Sequence, residues 1–193
     1  MELLVAMALM LIFLSIFGGA VLMMSRTQSK AQSTNETTSQ INSAFLWLDR
    51  SVRYASAIST PGQAADGNWY VELRTTNTGS EQCTQVRLNA TTQTLQRRSW
   101  TVSGGTATGI ATWTQVATGL TNGSAAVGST EPPVPFEKPS NASAAFQQLS
   151  ITLVAVSGPA NSLTTSRGSF TFTAINSSAS ASTSAICQEV NRS

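Results

Sequence analysis

Glu2-Leu3-Leu4-Val5-Ala6-Met7-Ala8-Leu9-Met10-Leu11-Ile12-Phe13-Leu14-Ser15-Ile16-Phe17-Gly18-Gly19-Ala20-Val21-Leu22-Met23-Met24 opens the chain with one carboxylate, then 22 residues without a charge, interrupted only by Ser15, Gly18 and Gly19. As a helix rising about 1.5 Å per residue this run reaches roughly 33 Å, enough to span a bilayer. A cleaved secretory signal is the alternative. Such a signal has a basic start, an apolar stretch of only about 7 to 15 residues and a small-residue cleavage site. No Lys or Arg precedes this run and it is longer, which favours a retained membrane helix over residues 1–24.

Outward from Met24 the composition turns to Ser, Thr, Gln and Asn, yet apolar residues return as Ile41, Phe45, Leu48, Val52, Ala55 and Ile58, spaced by three or four. That is a helical stripe, with Asn42, Asp49, Arg50 and Arg53 on the other face. The spacing predicts that the helix continues over residues 25–59 and packs Ile41, Phe45, Leu48, Val52 and Ile58 against a sheet. Pro61-Gly62 marks its end. Continuous from Leu3 to Ser59, it would be about 85 Å long.

Period two takes over after Pro61. Trp69, Val71 and Leu73 alternate with Tyr70, Glu72 and Arg74, and Thr84, Val86 and Leu88 with Gln85 and Arg87, which reads as strands. Asn89 to Gln93 offers a turn; Leu95 to Val102 and Ile110 to Val116 continue the β-rich stretch around the break at Ser103-Gly104-Gly105. Residues 119–144, with Pro132, Pro133, Pro135 and Pro139, read as a long surface loop. Leu149, Ile151, Leu153 and Ala155 alternate again, then, past Gly158-Pro159, so do Phe170, Phe172 and Ala174. A helix followed by a run of strands argues for an α+β fold. The expected arrangement is one antiparallel sheet on the helix stripe, with residues 60–193 forming one β-rich globular domain outside the cytoplasm.

Glu2 to Ala8 resembles the start of mature type IV pilin-like proteins, in which a short Phe-Thr-Leu-Ile segment precedes Glu-Leu-Leu-Val-Ala. Leu48-Asp49-Arg50-Ser51-Val52-Arg53-Tyr54-Ala55 is similar to the Leu-x-Arg-Asp-Leu-Arg-x-Ala signature of minor pilins and of J-type minor pseudopilins of type II secretion. The two motifs cover about the first third of the chain. A weaker match is Phe170-Thr171-Phe172-Thr173-Ala174-Ile175-Asn176, where that group usually has Arg in place of Ile175. The resemblance implies a long N-terminal helix on an antiparallel sheet and a role as a filament subunit.

In that family a basic leader ending in Gly lies just before the mature chain, and a prepilin peptidase cuts there and methylates the new N-terminus. Met1 stands inside the expected motif. The only cations near the rod, Arg26 and Lys30, lie on its C-terminal side, and the positive-inside rule would then keep the domain in the cytoplasm. The expectation is therefore a coding frame that continues upstream with Lys or Arg and a Gly-Phe or Gly-Met junction, which reverses the orientation.

A carboxylate at a membrane helix is costly unless it stays at the interface or finds a partner. By resemblance, Glu2 neutralises the N-terminal amine of a neighbouring subunit as a new subunit joins the filament. The plain alternative is an interfacial residue beside an anchor. Leu3, Leu4, Val5, Met7, Leu11, Phe13 and Phe17 are the residues expected to make the membrane and filament contacts of the helix.

Cys83 and Cys187 are the only cysteines and the chain has no His, so a zinc set cannot be assembled. In an oxidising compartment the two form a disulfide that ties the Ser-rich tail to the sheet; two separate buried thiols are the alternative. Without histidine neither Ser-His-Asp nor Cys-His chemistry is available, and the nine acidic residues are scattered singly. Gly104-Gly105 lacks the Lys-Ser/Thr and helix of a phosphate loop. No catalytic residue, cofactor or metal is expected. Arg97, Arg98 and Trp100 place two cations beside an aromatic, but the net charge is only +2 and no broad basic run exists, which argues against a nucleic-acid partner. Sequons start at Asn35, Asn89, Asn122, Asn141, Asn176 and Asn191, a number that Ser/Thr richness produces by chance.

The sequence thus points to a nonenzymatic minor pilin or pseudopilin, in initiation or at the tip of a type IV pilus-like or type II secretion filament. Its expected partners are the membrane, the assembly machinery and other pilins or pseudopilins bound through the N-terminal helix. Its expected location is the inner membrane, single-pass, then a periplasmic or cell-surface filament. The alternative is a membrane-anchored surface or adhesive domain that never assembles.

Overall fold

The computed structural model describes the chain except residues 1, 77–78, 104, 140–143, 161–162, 181–186, 188–191 and 193. Met1, Gly104, Asn141 and Asn191, each named above, lie outside the described residues, as does most of the Ser-rich tail.

One helix, α1 (Glu2–Arg53), runs without a break through both the apolar run and the polar segment. Its 52 residues make it about 78 Å long. It stops six residues short of the expected Ser59. Past Arg53 the main chain is drawn away to a sheet edge, where the Ser56 N–H donates to the Arg74 carbonyl (2.7 Å) and the Ser59 N–H to the Glu72 carbonyl (2.9 Å). Ala55 and Ile58 have helical spacing, but Ile58 belongs to strand β1 (Ala57–Ile58), opposite Leu73. Ile58 is therefore buried in the core from a strand and not from the helix, a correction to the stripe. Pro61 separates β1 from β2 (Gly62–Gln63) rather than ending the helix.

The remaining strands are β3 (Trp69–Thr75), β4 (Glu81–Asn89), β5 (Thr94–Ser103), β6 (Thr106–Thr108), β7 (Thr114–Ala117), β8 (Phe136–Glu137), β9 (Gln147–Ser157) and β10 (Thr164–Ala174). The layout is α+β, one long N-terminal helix packed on antiparallel sheets. The sheets number two and not one. A seven-stranded sheet is ordered β1-β3-β4-β5-β6, with β2 also on β3 and β7 also on β5; a three-stranded sheet is ordered β10-β9-β8. Alternation along a strand fixes which residues share a face but not which strand lies alongside. The sheets are joined where the Val156 N–H donates to the Gly119 carbonyl (2.8 Å), beside a bridge between Leu120 and Ala155.

The turn after β4 is held by the Asn89 side chain, whose Oδ1 accepts from the Thr91 and Thr92 N–H groups (3.0 and 2.9 Å). Ile110, expected in a strand, lies exposed between β6 and β7. Nor is 119–144 only a surface loop: it holds a short 3-10 turn (Thr121–Ser124) and β8. It is stapled inward by Asn122, fully buried, whose amide donates to the Pro133 and Thr152 carbonyls (3.1 and 2.7 Å) and whose Oδ1 accepts from the Val154 N–H (3.1 Å). The bonds satisfy a buried side chain that would otherwise be costly.

The core lies between α1 and the inner faces of both sheets. Ile41, Ala44, Leu48 and Val52 from the helix meet Val71, Leu73, Val86, Leu88 and Leu95 from one sheet and Leu149, Ile151, Leu153 and Phe172 from the other. Phe45 packs against this core half-buried, its ring 4.9 Å from Phe170 and 5.5 Å from Phe172 by centroid. Contacts run in order along α1 and β10: Thr37 Oγ1 bonds Ser166 Oγ (3.2 Å), Ile41 lies over Gly168, Phe45 over Phe170 and Phe172, and the Arg53 carbonyl accepts from the Ile175 N–H (3.1 Å). The helix and β10 therefore run in the same direction.

Candidate functional site

The first buried residue of α1 is Ser33. The helix before it projects clear of the sheets, about 46 Å of rod at 1.5 Å per residue. Leu3, Leu4, Val5, Met7, Leu11, Phe13 and Phe17 are all 59–75% exposed, an apolar surface far larger than a water-facing element carries. This stretch is long and apolar enough to cross a membrane. Two of its hydroxyls are satisfied within the helix: Ser15 Oγ donates to the Ile12 carbonyl (2.8 Å) and Thr27 Oγ1 to the Met23 carbonyl (3.0 Å). Ser15 therefore carries no unmet donor into an apolar medium. Gly18 and Gly19 have open space around them.

Glu2 occupies the first turn at the outer end of the rod, and among the described residues its carboxylate has no hydrogen-bond or ionic partner. From Leu3 to Met24 the rod is apolar on every side, so no face of that run is set apart by sequence alone.

The opposite end of the molecule is built around the outer face of the seven-stranded sheet. Cys83 and Cys187 are joined in a disulfide and packed with Ala57 and Trp100. Beside them Glu72, fully buried, accepts from Ser59 Oγ (2.5 Å) and Gln85 Nε2 (2.9 Å) and pairs with Arg192 (2.7 Å). Arg192 also donates to the Thr60 carbonyl (2.9 Å). The tail is thus fastened to the sheet covalently at residue 187 and ionically at 192. Glu72 alternates with the apolar Val71 and Leu73, yet it is fully buried on this outer face, and nothing in its local sequence points to Arg192 as its partner.

Arg97 and Arg98 do not cooperate. Adjacent positions on β5 face opposite ways: Arg97 lies 5.3 Å from the Trp47 ring on the helix side, while Arg98 and Arg87 lie 4.5 and 4.0 Å from the Trp113 ring on the other. Burial lowers the Arg98 pKa. Below Trp113, Tyr70 donates to Asp66 Oδ2 (2.6 Å). Burial alone would raise Asp66, but hydrogen bonds from Tyr70 and Asn68 outweigh it and hold the carboxyl below its usual range. Burial, then the Asp66 bond, raises the Tyr70 hydroxyl. Lys138 donates to the Ile58 carbonyl (3.3 Å), and burial lowers its pKa. Among the described residues no group of three His, Cys, Asp or Glu side chains converges on a point where a metal could sit.

The chain matches no protein-family model, no curated protein and no solved structure.

Proposed function

We propose that this chain is a nonenzymatic minor pilin or pseudopilin, a subunit of a type IV pilus-like or type II secretion filament. The observation that carries this reading is the rod: an exposed helix, uncharged from Leu3 to Met24, with a carboxylate at its tip, continuous with a second half that is clamped in a globular domain. A simple anchor needs the first half alone. A rod that is rigidly continuous with its domain also fixes where that domain sits when several rods pack together, which suits a filament.

The physical basis is exchange between two equivalent apolar environments. The bilayer holds Leu3 to Met24, and a bundle of similar helices offers the same residues comparable surroundings, so transfer need not expose them to water. Glu2 would pair with the N-terminal amine of a neighbouring rod, since an unpaired charge in hydrocarbon is expensive. In this reading the domain lies outside the cytoplasm, where a disulfide persists, and other proteins supply the energy of extraction.

Replacing Glu2 by Gln and measuring both filament incorporation and membrane content of the chain tests this. Loss of incorporation with unchanged membrane content is the expected result. Normal incorporation of the variant would refute the assembly role of Glu2, and absence of the unaltered chain from any filament would leave the membrane-anchored surface domain.

A further inference from the structure

β10 is the outer strand of its sheet and is bonded on one side only, to β9, in an unbroken register from Thr164↔Ser157 to Ala174↔Gln147. Between Thr164 and Thr173 no other group bonds its main chain among the described residues. Ten residues of open edge, Thr164 to Thr173, are unusual, because exposed edges recruit other strands and are normally blunted by shortness, charged side chains, Pro, a bulge or a covering helix or loop. The other edge strands among the described residues are short: β1, β2 and β8 have two residues each, β6 has three and β7 four. β10 has no Pro, no Lys and no bulge, and its one charge, Arg167, is paired with Glu131 (3.2 Å).

An apolar groove follows this edge on the helix side. Phe45, Phe170, Phe172 and Ile175 line it, with Asp49 and Arg53, paired to each other at 2.7 Å, on the rim. Ile175 is 48% exposed. A row of main-chain N–H and C=O groups beside pockets for alternate side chains specifies its ligand: only an extended polypeptide satisfies both.

We propose that the free edge of β10 is a docking site for an extended segment of a different protein, which adds a fourth strand to the β8-β9-β10 sheet and seats an apolar side chain against Phe45, Phe170 and Phe172. The segment alternates apolar and polar residues, apolar towards the groove and small hydroxyls towards the Ser169 and Thr171 face. A second copy of this chain is disfavoured by direction. Antiparallel pairing gives the tighter ladder, but β10 runs with α1, so an antiparallel β10 pair would point the two rods in opposite directions, which one bilayer forbids. That choice of source rests on the membrane residence of the rod; the edge and the groove do not depend on it, nor on filament assembly.

The test uses the full-length chain in detergent micelles and three blocked nonapeptides in which Thr alternates with Val, Leu or Phe. At least one should bind, by fluorescence anisotropy, and slow amide exchange in 164–174 but not in β3 to β5. Methylating its backbone nitrogens one at a time should weaken binding about tenfold at alternate positions and little at those between, as expected when single hydrogen bonds are removed. Phe170→Ser should weaken binding too; if that variant loses protection in β3 to β5, Ile175→Ser at the exposed end of the groove replaces it. Failure of all three peptides to protect β10 at millimolar concentration, or a methylation scan without period two, overturns the proposal. Self-association of the chain that itself protects β10 would overturn the choice of a different protein and make the occupant a second copy.

Discussion

Arg192 closes on Glu72 with two contacts, Nη2 to Oε2 at 2.7 Å and Nε to Oε1 at 3.2 Å, joining positions 120 residues apart in the chain. Glu72 is a fully buried carboxylate whose oxygens also accept from Ser59 and Gln85, while Arg192 keeps about a fifth of its side chain in solvent. Removing one partner of such a pair leaves the other charge buried alone.

Arg192→Ala should therefore destabilise the fold by about 2–3 kcal/mol, below the roughly 3–5 kcal/mol of a fully dry pair because Arg192 is partly wet. Glu72→Gln added to Arg192→Ala should restore much of that loss, since the stranded charge is gone. Urea titration of both variants checks this; a double variant no more stable than the single would show that the ion pair is not the source.

Gly168 is where the helix comes closest to β10. A Cβ there would stand 2.8 Å from Ile41 Cγ2 and 2.8 Å from the Phe170 ring. Gly168→Ala should cost about 1–3 kcal/mol through overpacking, despite the gain in strand propensity. Thermal melting followed by near-UV circular dichroism measures it.

The disulfide closes a loop with a sequence separation of 104. Chain entropy alone assigns about 4.7 kcal/mol to a loop of this length, and measured values are commonly about 2–4 kcal/mol. The Cys83→Ala/Cys187→Ala variant should lose stability in that range. It should also show faster exchange in β4 near residue 83 without loss of protection in β9, because the bond fastens the tail to one sheet only.

Asp66 gives a pH dependence of defined sign. Its folded pKa is lowered, so its contribution is fully present above the ordinary carboxylate value of about 3.9 and disappears as pH falls through the lower folded value. The stability gap between the native chain and Asp66→Asn should hold constant from neutral pH down to about 4 and close below it. Melts between pH 7 and 2 follow the gap; a gap that instead widens on acidification would contradict the assignment.

The helix and most strands were legible because their apolar residues keep a single period over a long stretch: Leu3 to Met24 as an uncharged run, Ile41 to Val52 at three and four, Leu149 to Ala155 at two. The cysteine pairing was legible because the chain offers one combination. Ile58 was misplaced because a residue in a two-residue edge strand can fall by accident on the helical spacing of the element before it. The division into two sheets was hidden because alternation does not name a neighbour. The burial of Glu72 was not legible from its own strand, because the side chain that pairs with it, Arg192, lies 120 positions away.

The shared direction of α1 and β10 has a mechanical meaning. A pull along the rod reaches the domain through Thr37 against Ser166, Ile41 against Gly168, Phe45 against Phe170 and Phe172, and the Arg53 carbonyl against Ile175. These contacts are spread along the line of force, so they are loaded together, in shear, and none can be peeled open before the next. Tension applied at residue 2 is shared by the whole seam, while the disulfide on the far face of the larger sheet stands outside its path.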